Sequence, residues 1–140
     1  MKELDQHLKA GMPLPIEQML QIDKIVDVDE HTIVCQQKIS EDHWIFPLHF
    51  PNDPIFPGSL LIEAAAQCVA IWGWNSGLCG KFRLVKCTAE FATPIMPTDK
   101  LITYTASVSK RRNICFGTIE ISVDSKTVGT VTANVVVIPN

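Results

Sequence analysis

At 140 residues, with 46% hydrophobic and 19% charged side chains, the sequence has the size and composition of one folded domain and excludes a disordered chain. A net charge of −3 argues against a nucleic-acid partner, which selects for a basic surface. Five cysteines without a CxxC pair, no apolar leader and no apolar run of ~18 residues predict a soluble, cytoplasmic protein with reduced thiols and no membrane insertion.

Residues 1–12 read as a polar lead-in to a single domain over 1–140. Leu14, Ile16, Met19 and Leu20 predict a short amphipathic helix starting near Pro13 or Pro15, since proline is tolerated in a first turn. Strand-like apolar residues from Ile22 to Ile39, interrupted by Asp29-Glu30-His31, predict a hairpin. Pro47, Pro51, Pro54 and Pro57 then impose a stiff irregular loop carrying His43, His49 and Asp53. Residues 59–74 predict one long helix, apolar almost all round and therefore buried, with a stop between Asn75 and Gly80. Beyond it, period-two alternation (Ile102, Tyr104, Ala106, Val108, then Ile119, Ile121, Val123) and a Val/Thr-rich run to Ile138 predict antiparallel strands. One buried helix and about six strands make an α+β domain whose sheet wraps the helix.

The chemistry-bearing residues cluster around the start of that helix. Ser59, Glu63 and Gln67 recur every four residues and share one stripe. A carboxyl buried among Leu, Ile and Ala tends to hold its proton, which is what a general acid needs; the other reading has Glu63 facing solvent or pairing with a strand residue. His49 sits before Phe50-Pro51 on a restrained backbone, as a positioned base would. Pro57-Gly58 opens the helix, where unpaired N–H groups and a bare Cα suit an oxygen gaining negative charge. Base, acid and oxyanion donors fit elimination of water across a thioester. The histidines show no HxH or HxxxH spacing, so no metal site is expected.

The block from His49 to Gln67, HFPNDPIFPGSLLIEAAAQ, resembles the active-site signature of the bacterial 3-hydroxyacyl-[acyl-carrier-protein] dehydratases. Ala89-Glu90-Phe91-Ala92-Thr93-Pro94-Ile95-Met96-Pro97-Thr98-Asp99-Lys100-Leu101 is similar to the same family's Phe-x-x-Pro-x-x-Pro-x-Asp-x-Leu segment, and Gln21-Ile22-Asp23-Lys24-Ile25 resembles the opening of its first strand. The resemblance covers roughly residues 14–138. It implies a hot-dog fold, an antiparallel sheet wrapped around a long central helix, assembled as a homodimer or trimer of dimers without metal or cofactor. It places the catalytic histidine at His49 and the catalytic acid at Glu63, contributed by opposite subunits. The carbonyl-binding N–H falls on Gly58, and Gln67 supports the acid. The implied reaction converts a (3R)-hydroxyacyl thioester, on acyl carrier protein or coenzyme A, to the trans-2-enoyl thioester in fatty-acid or specialised lipid or polyketide synthesis. Glu63 matches the branch that mainly dehydrates, whereas Asn52-Asp53 resembles the Asp-Pro form of the branch that also isomerises the double bond and of dehydratase domains in polyketide and polyunsaturated-lipid synthases. Glu90, Ala92 and Thr93 stand where the family often carries basic residues for carrier docking; Lys81, Arg83, Lys86, Lys110, Arg111 and Arg112 are the remaining source of a basic patch. The rival readings are a hot-dog acyl thioesterase and a non-catalytic acyl-binding subunit.

Overall fold

The computed structural model describes residue 4 and residues 6–140. Its elements run β1 (Lys24–Val28), β2 (Thr32–Lys38), α1 (Gly58–Asn75), β3 (Lys81–Phe91), β4 (Leu101–Arg111), β5 (Ile114–Val123) and β6 (Lys126–Ile138), with short 3₁₀ turns at Glu17–Met19 and Pro97–Asp99. The six strands form one antiparallel sheet in the order β1-β2-β4-β5-β6-β3, and α1 packs against it, touching β2 to β6. This is the hot-dog architecture expected from the sequence.

Strand alternation explains why the sheet closes on the helix. Ile102, Tyr104, Ala106 and Val108 of β4, Cys115, Ile119 and Ile121 of β5, and Val131, Ala133, Val135 and Val137 of β6 all point inward and are buried. The helix meets them with small residues: Ala64, Ala65, Ala66, Ala70 and Gly73 are buried along it. Two glycines set the closeness of the packing. A Cβ on Gly73 would lie 2.7 Å from the Cys115 sulfur, and one on Gly117 would collide with the Val69 side chain.

Two expectations need correction. The segment 14–20 is no amphipathic helix but the single 3₁₀ turn Glu17–Met19, with Ile16 74% and Met19 51% exposed. Pro13 and Pro15 bias their predecessors toward extended backbone, leaving too few residues for a helical nucleus. Nor is the start of the chain merely a polar lead-in. Leu4 is buried in the core, and Leu8 and Met12 pack against it. Asn75, at the end of α1, accepts from the Lys9 N–H (2.9 Å) and donates to the His7 carbonyl (2.5 Å).

β3 lies at one edge of the sheet and pairs only with β6. Leu84, Val85 and Phe91 on it are 41%, 59% and 43% exposed, set among the exposed charges of Lys81, Arg83, Lys86 and Glu90. No helix among the described residues is long and apolar enough to cross a membrane.

Candidate active site

His49 belongs to the proline-rich loop, and the loop folds back on itself around it. The Ile55 N–H donates to the His49 carbonyl (2.9 Å), and His49 Nδ1 lies 3.0 Å from the Ile55 carbonyl oxygen. A carbonyl can only accept, so Nδ1 carries the proton and the Nε2 lone pair is left for a substrate. The ring stacks on Phe50 with centroids 4.0 Å apart. The Phe56 N–H donates to the Ile95 carbonyl (2.8 Å), tying the loop to the β3–β4 connection. His43 is instead packed among Trp44, Phe46 and Phe56, and His7 and His31 are exposed.

Pro57, extended at φ −64° and ψ 134°, turns the chain into α1. Its carbonyl takes the N–H groups of Leu60 (3.1 Å) and Leu61 (3.2 Å). Helix geometry leaves the Gly58 and Ser59 N–H groups without an intrahelical acceptor. A Cβ on Gly58 would stand 2.7 Å from the Phe91 ring of β3, so any other residue here would have to displace that ring. Gly58, Leu61 and Phe91 line a cavity of ≈ 270 Å³.

One turn further, Glu63 is half-buried and its Oε2 accepts from Gln67 Nε2 at 2.8 Å. Glu63, Gln67, Ala66 and Ala70 face a second cavity, of ≈ 420 Å³, closed on the far side by Leu14 and by Leu84 of β3. The expected stripe is present but graded: Ser59 is exposed, Glu63 intermediate and Gln67 buried. Among the described residues Ser59 makes no side-chain hydrogen bond to either partner. Glu63 and Gln67 are thus brought together, with Gly58 one turn before them. His49 is not among the residues lining the Glu63 cavity of its own chain.

Three further residues were missed from the sequence. Gln21, Gln37 and Tyr104 are buried, and they form a hydrogen-bonded group that reaches Gln67. The available signal was Gln37, which falls on the inward positions of β2 after Ile33 and Cys35 and breaks an otherwise apolar face.

The pattern of the FabA-like domain matches residues 14–132. Among solved structures, the dehydratase heterocomplex ApeI:P from Xenorhabdus doucetiae is similar at a TM-score of 0.73 and 21% identity, over 91% of this chain and 88% of that one. The Escherichia coli PaaI protein of the phenylacetic acid degradation operon gives 0.66 and 21%, over 84% and 80% of the two chains. Thioesterase HI1161 from Haemophilus influenzae gives 0.65 and 18%, over 83% and 78%. At these identities the structural likeness establishes the fold, which dehydratases and thioesterases share.

Proposed function

Given that the chain belongs to the FabA-like domain family, we propose that it is a dehydratase of (3R)-hydroxyacyl thioesters, carried on acyl carrier protein. The observation that carries this reading is the 3.0 Å contact between His49 Nδ1 and the Ile55 carbonyl: the carbonyl can only accept, so Nδ1 is the donor and Nε2 is the nitrogen turned to a substrate as base. A histidine base, a carboxyl and a helix-start N–H, brought to one site by two copies of the chain, support elimination more directly than hydrolysis. Hydrolysis needs the carboxylate and a water molecule but no second base.

In the proposed reaction the Gly58 N–H donates to the thioester carbonyl and acidifies the α-carbon. His49 Nε2 removes the α-proton. The C–H electron pair becomes the Cα=Cβ bond, the Cβ–O bond breaks, and the leaving hydroxyl takes a proton from Glu63 to depart as water. His49 then holds one extra proton and Glu63 lacks one; exchange with solvent restores both. The acyl chain lies against Ala66, Ala70 and Leu84 in the apolar part of the Glu63 cavity.

A second copy of the chain supplies the missing juxtaposition. In this reading two copies join along the edge strand β3, which exposes Leu84, Val85 and Phe91, so that His49 of each subunit meets the partner subunit's Glu63. The heterocomplex ApeI:P shows that a relative of this fold can also join a different chain, so mass analysis of the purified assembly belongs to the test.

The thioesterase reading keeps some support from the fold shared with HI1161 and from Glu63, which could activate water. Incubation with 3-hydroxyacyl thioesters on acyl carrier protein and on coenzyme A, followed by mass spectrometry, separates the two. The dehydratase reading expects the unsaturated thioester with its carrier attached. Release of free acid and thiol would overturn it in favour of hydrolysis.

A further inference from the structure

We propose that Gln21, Gln37 and Tyr104 are positioning residues for Glu63, acting through Gln67 along a hydrogen-bond chain whose direction the backbone dictates. The inference rests on the catalytic role proposed above for Glu63, but its geometry stands independently of any reaction.

The chain crosses the core from sheet to helix. The Tyr104 hydroxyl donates to Gln37 Oε1 (2.8 Å), and Gln37 Nε2 donates to Gln21 Oε1 (2.9 Å). The Gln21 backbone N–H donates to Gln67 Oε1 (2.9 Å), and Gln67 Nε2 donates to Glu63 Oε2 (2.8 Å). The four residues come from β4, β2, the segment before β1, and α1, and none is exposed by more than 5%. Among the described residues no buried side-chain nitrogen or oxygen lacks a partner.

Carboxamide ends are nearly symmetric in shape, so their orientation must come from partners that have no choice. Backbone groups provide it here. The Met19 carbonyl, 2.7 Å from Gln67, can only accept and therefore faces Nε2. The Gln21 N–H can only donate and therefore faces Oε1. Gln67 is thereby compelled to offer an N–H to Glu63. The Gln18 carbonyl, 2.8 Å from the Gln21 side chain, fixes that amide in turn and leaves its oxygen for Gln37. Gln37 must then present its own oxygen to Tyr104, which donates. Every bond in the series points toward the carboxyl.

The consequence for Glu63 is that its two oxygens are no longer equivalent. Oε2 is committed as an acceptor from Gln67, so the oxygen that carries and delivers the proton is Oε1. The carboxyl cannot rotate without abandoning a buried amide. Gln37 and Tyr104 act one step removed: they tether Gln21, and with it the irregular segment 18–21, whose backbone carries both groups that orient Gln67. That segment has only a single 3₁₀ turn of its own, so the side-chain tether has to substitute for a regular ladder. A network of this kind is specified only when every member is satisfied, as here.

The test compares Gln37→Leu, Tyr104→Phe and the wild type in the assembled protein, alone and combined with Glu63→Gln. Gln37→Leu is expected to lower kcat about 10-fold with KM changed by less than about 2-fold, since a misplaced acid costs rate more than binding. Tyr104→Phe, which removes only the terminal donor, should give a smaller loss of the same kind and guards against a folding failure of Gln37→Leu. In the Glu63→Gln background both losses should vanish; equal fractional losses in both backgrounds would mean that the network merely supports the fold and would overturn the proposal. A second readout uses no turnover. By NMR, the Gln67 side-chain amide protons should exchange about 10-fold faster in Gln37→Leu while the backbone amides of Val69 and Ala70 stay protected. Unchanged Gln67 exchange in that variant would also overturn the proposal. Absence of dehydration in the wild type, with Gln67 exchange responding as expected, would remove the proposed reaction and leave the positioning of Glu63 standing.

Discussion

Phe91 of β3 stands over Gly58, the first residue of α1, so closely that a methyl group on Gly58 would lie 2.7 Å from the ring. Phe91 is held from the other side as well: it pairs with Gly129 of β6, where a Cβ would come within 2.9 Å of the same side chain. Two glycines from different elements therefore seat one aromatic ring at the mouth of the helix. The ring and the free N–H of Gly58 border the same cavity, which couples packing to the proposed carbonyl site.

Gly58→Ala should separate these two roles. Phe91 is 43% exposed and can swing outward, so the stability cost should fall near the lower end of the ~1–3 kcal/mol typical of overpacking. Dehydration should fall about 10-fold or more, because the methyl group crowds the substrate carbonyl. Adding Phe91→Leu should restore the melting temperature without restoring turnover. Recovery of both would show that Gly58 serves packing alone.

Gly117→Ala should be the more damaging glycine substitution. Its Cβ would collide with Val69, a fully buried helix residue with no room to retreat, so a loss of ~2–3 kcal/mol in urea unfolding is expected. Val69→Ala vacates that space at its own cost. The double variant should be more stable than the two single losses summed, by roughly 1 kcal/mol or more. Strict additivity would place the strain elsewhere.

Most of the fold was legible because its elements keep one period. The helix at 59–74 and the alternating strands β4 and β5 declare themselves in this way, and the observed helix extends only one residue further at each end. β3 was not delimited, for a physical reason. Lys81, Arg83 and Lys86 interleave with Phe82, Leu84 and Val85, and a register shift between Leu84 and Lys86 breaks the alternation. Of the site, Glu63 and Gln67 follow from helical spacing, and the structure joins them. The partners of Gln67 could not be read, because Gln21, Gln37 and Tyr104 meet only through tertiary packing. The lock on His49 was equally hidden, since it depends on a loop bringing Ile55 back onto the ring.

The β3 edge gives an assembly prediction. Light scattering should report a dimer or a multiple of one, and Val85→Lys, placing a charge at the most exposed apolar residue of β3, should shift it toward monomer. Activity should disappear in parallel with the dimer if the site is shared. A fully active monomer at assay concentration would refute the shared site.

Alkaline pH should weaken the fold through its buried thiols. Burial against α1 pushes the Cys115 thiol up to about 11, with Lys110 partly opposing the shift. The folded state thus holds the proton more tightly than the unfolded state. Its contribution is complete below the unfolded thiol's pKa of ~8.5–9 and is lost as pH climbs toward the folded value. At 1.36 kcal/mol per unit this amounts to roughly 3 kcal/mol. Burial also raises the Cys68 thiol and the Tyr104 hydroxyl, so Cys115→Ala should reduce the alkaline loss in urea midpoint without abolishing it. An unchanged slope would exclude Cys115 as a contributor.

The proposed catalytic pair gives the sharpest prediction. His49→Ala and Glu63→Gln should each lower dehydration by at least ~10²-fold while circular dichroism and dimer mass stay unchanged. Groups that work in one step are not additive, so the double variant should be little worse than either single one. Glu63→Asp tests position against charge: it keeps the carboxyl but draws it back by one methylene, away from Gln67 Nε2, which it now meets at 2.8 Å. A large loss is expected, because a proton delivered from the wrong place is not delivered in the transition state. Near-normal turnover in Glu63→Asp would mean that reach is unimportant and would weaken the case for a held acid. Near-normal dehydration in a folded Glu63→Gln dimer would remove the acid assignment altogether. Silence of His49→Ala as well would turn the reading toward an acyl-binding subunit. Hydrolysis that survives His49→Ala but not Glu63→Gln would identify a thioesterase, since only that chemistry can proceed on the carboxylate alone.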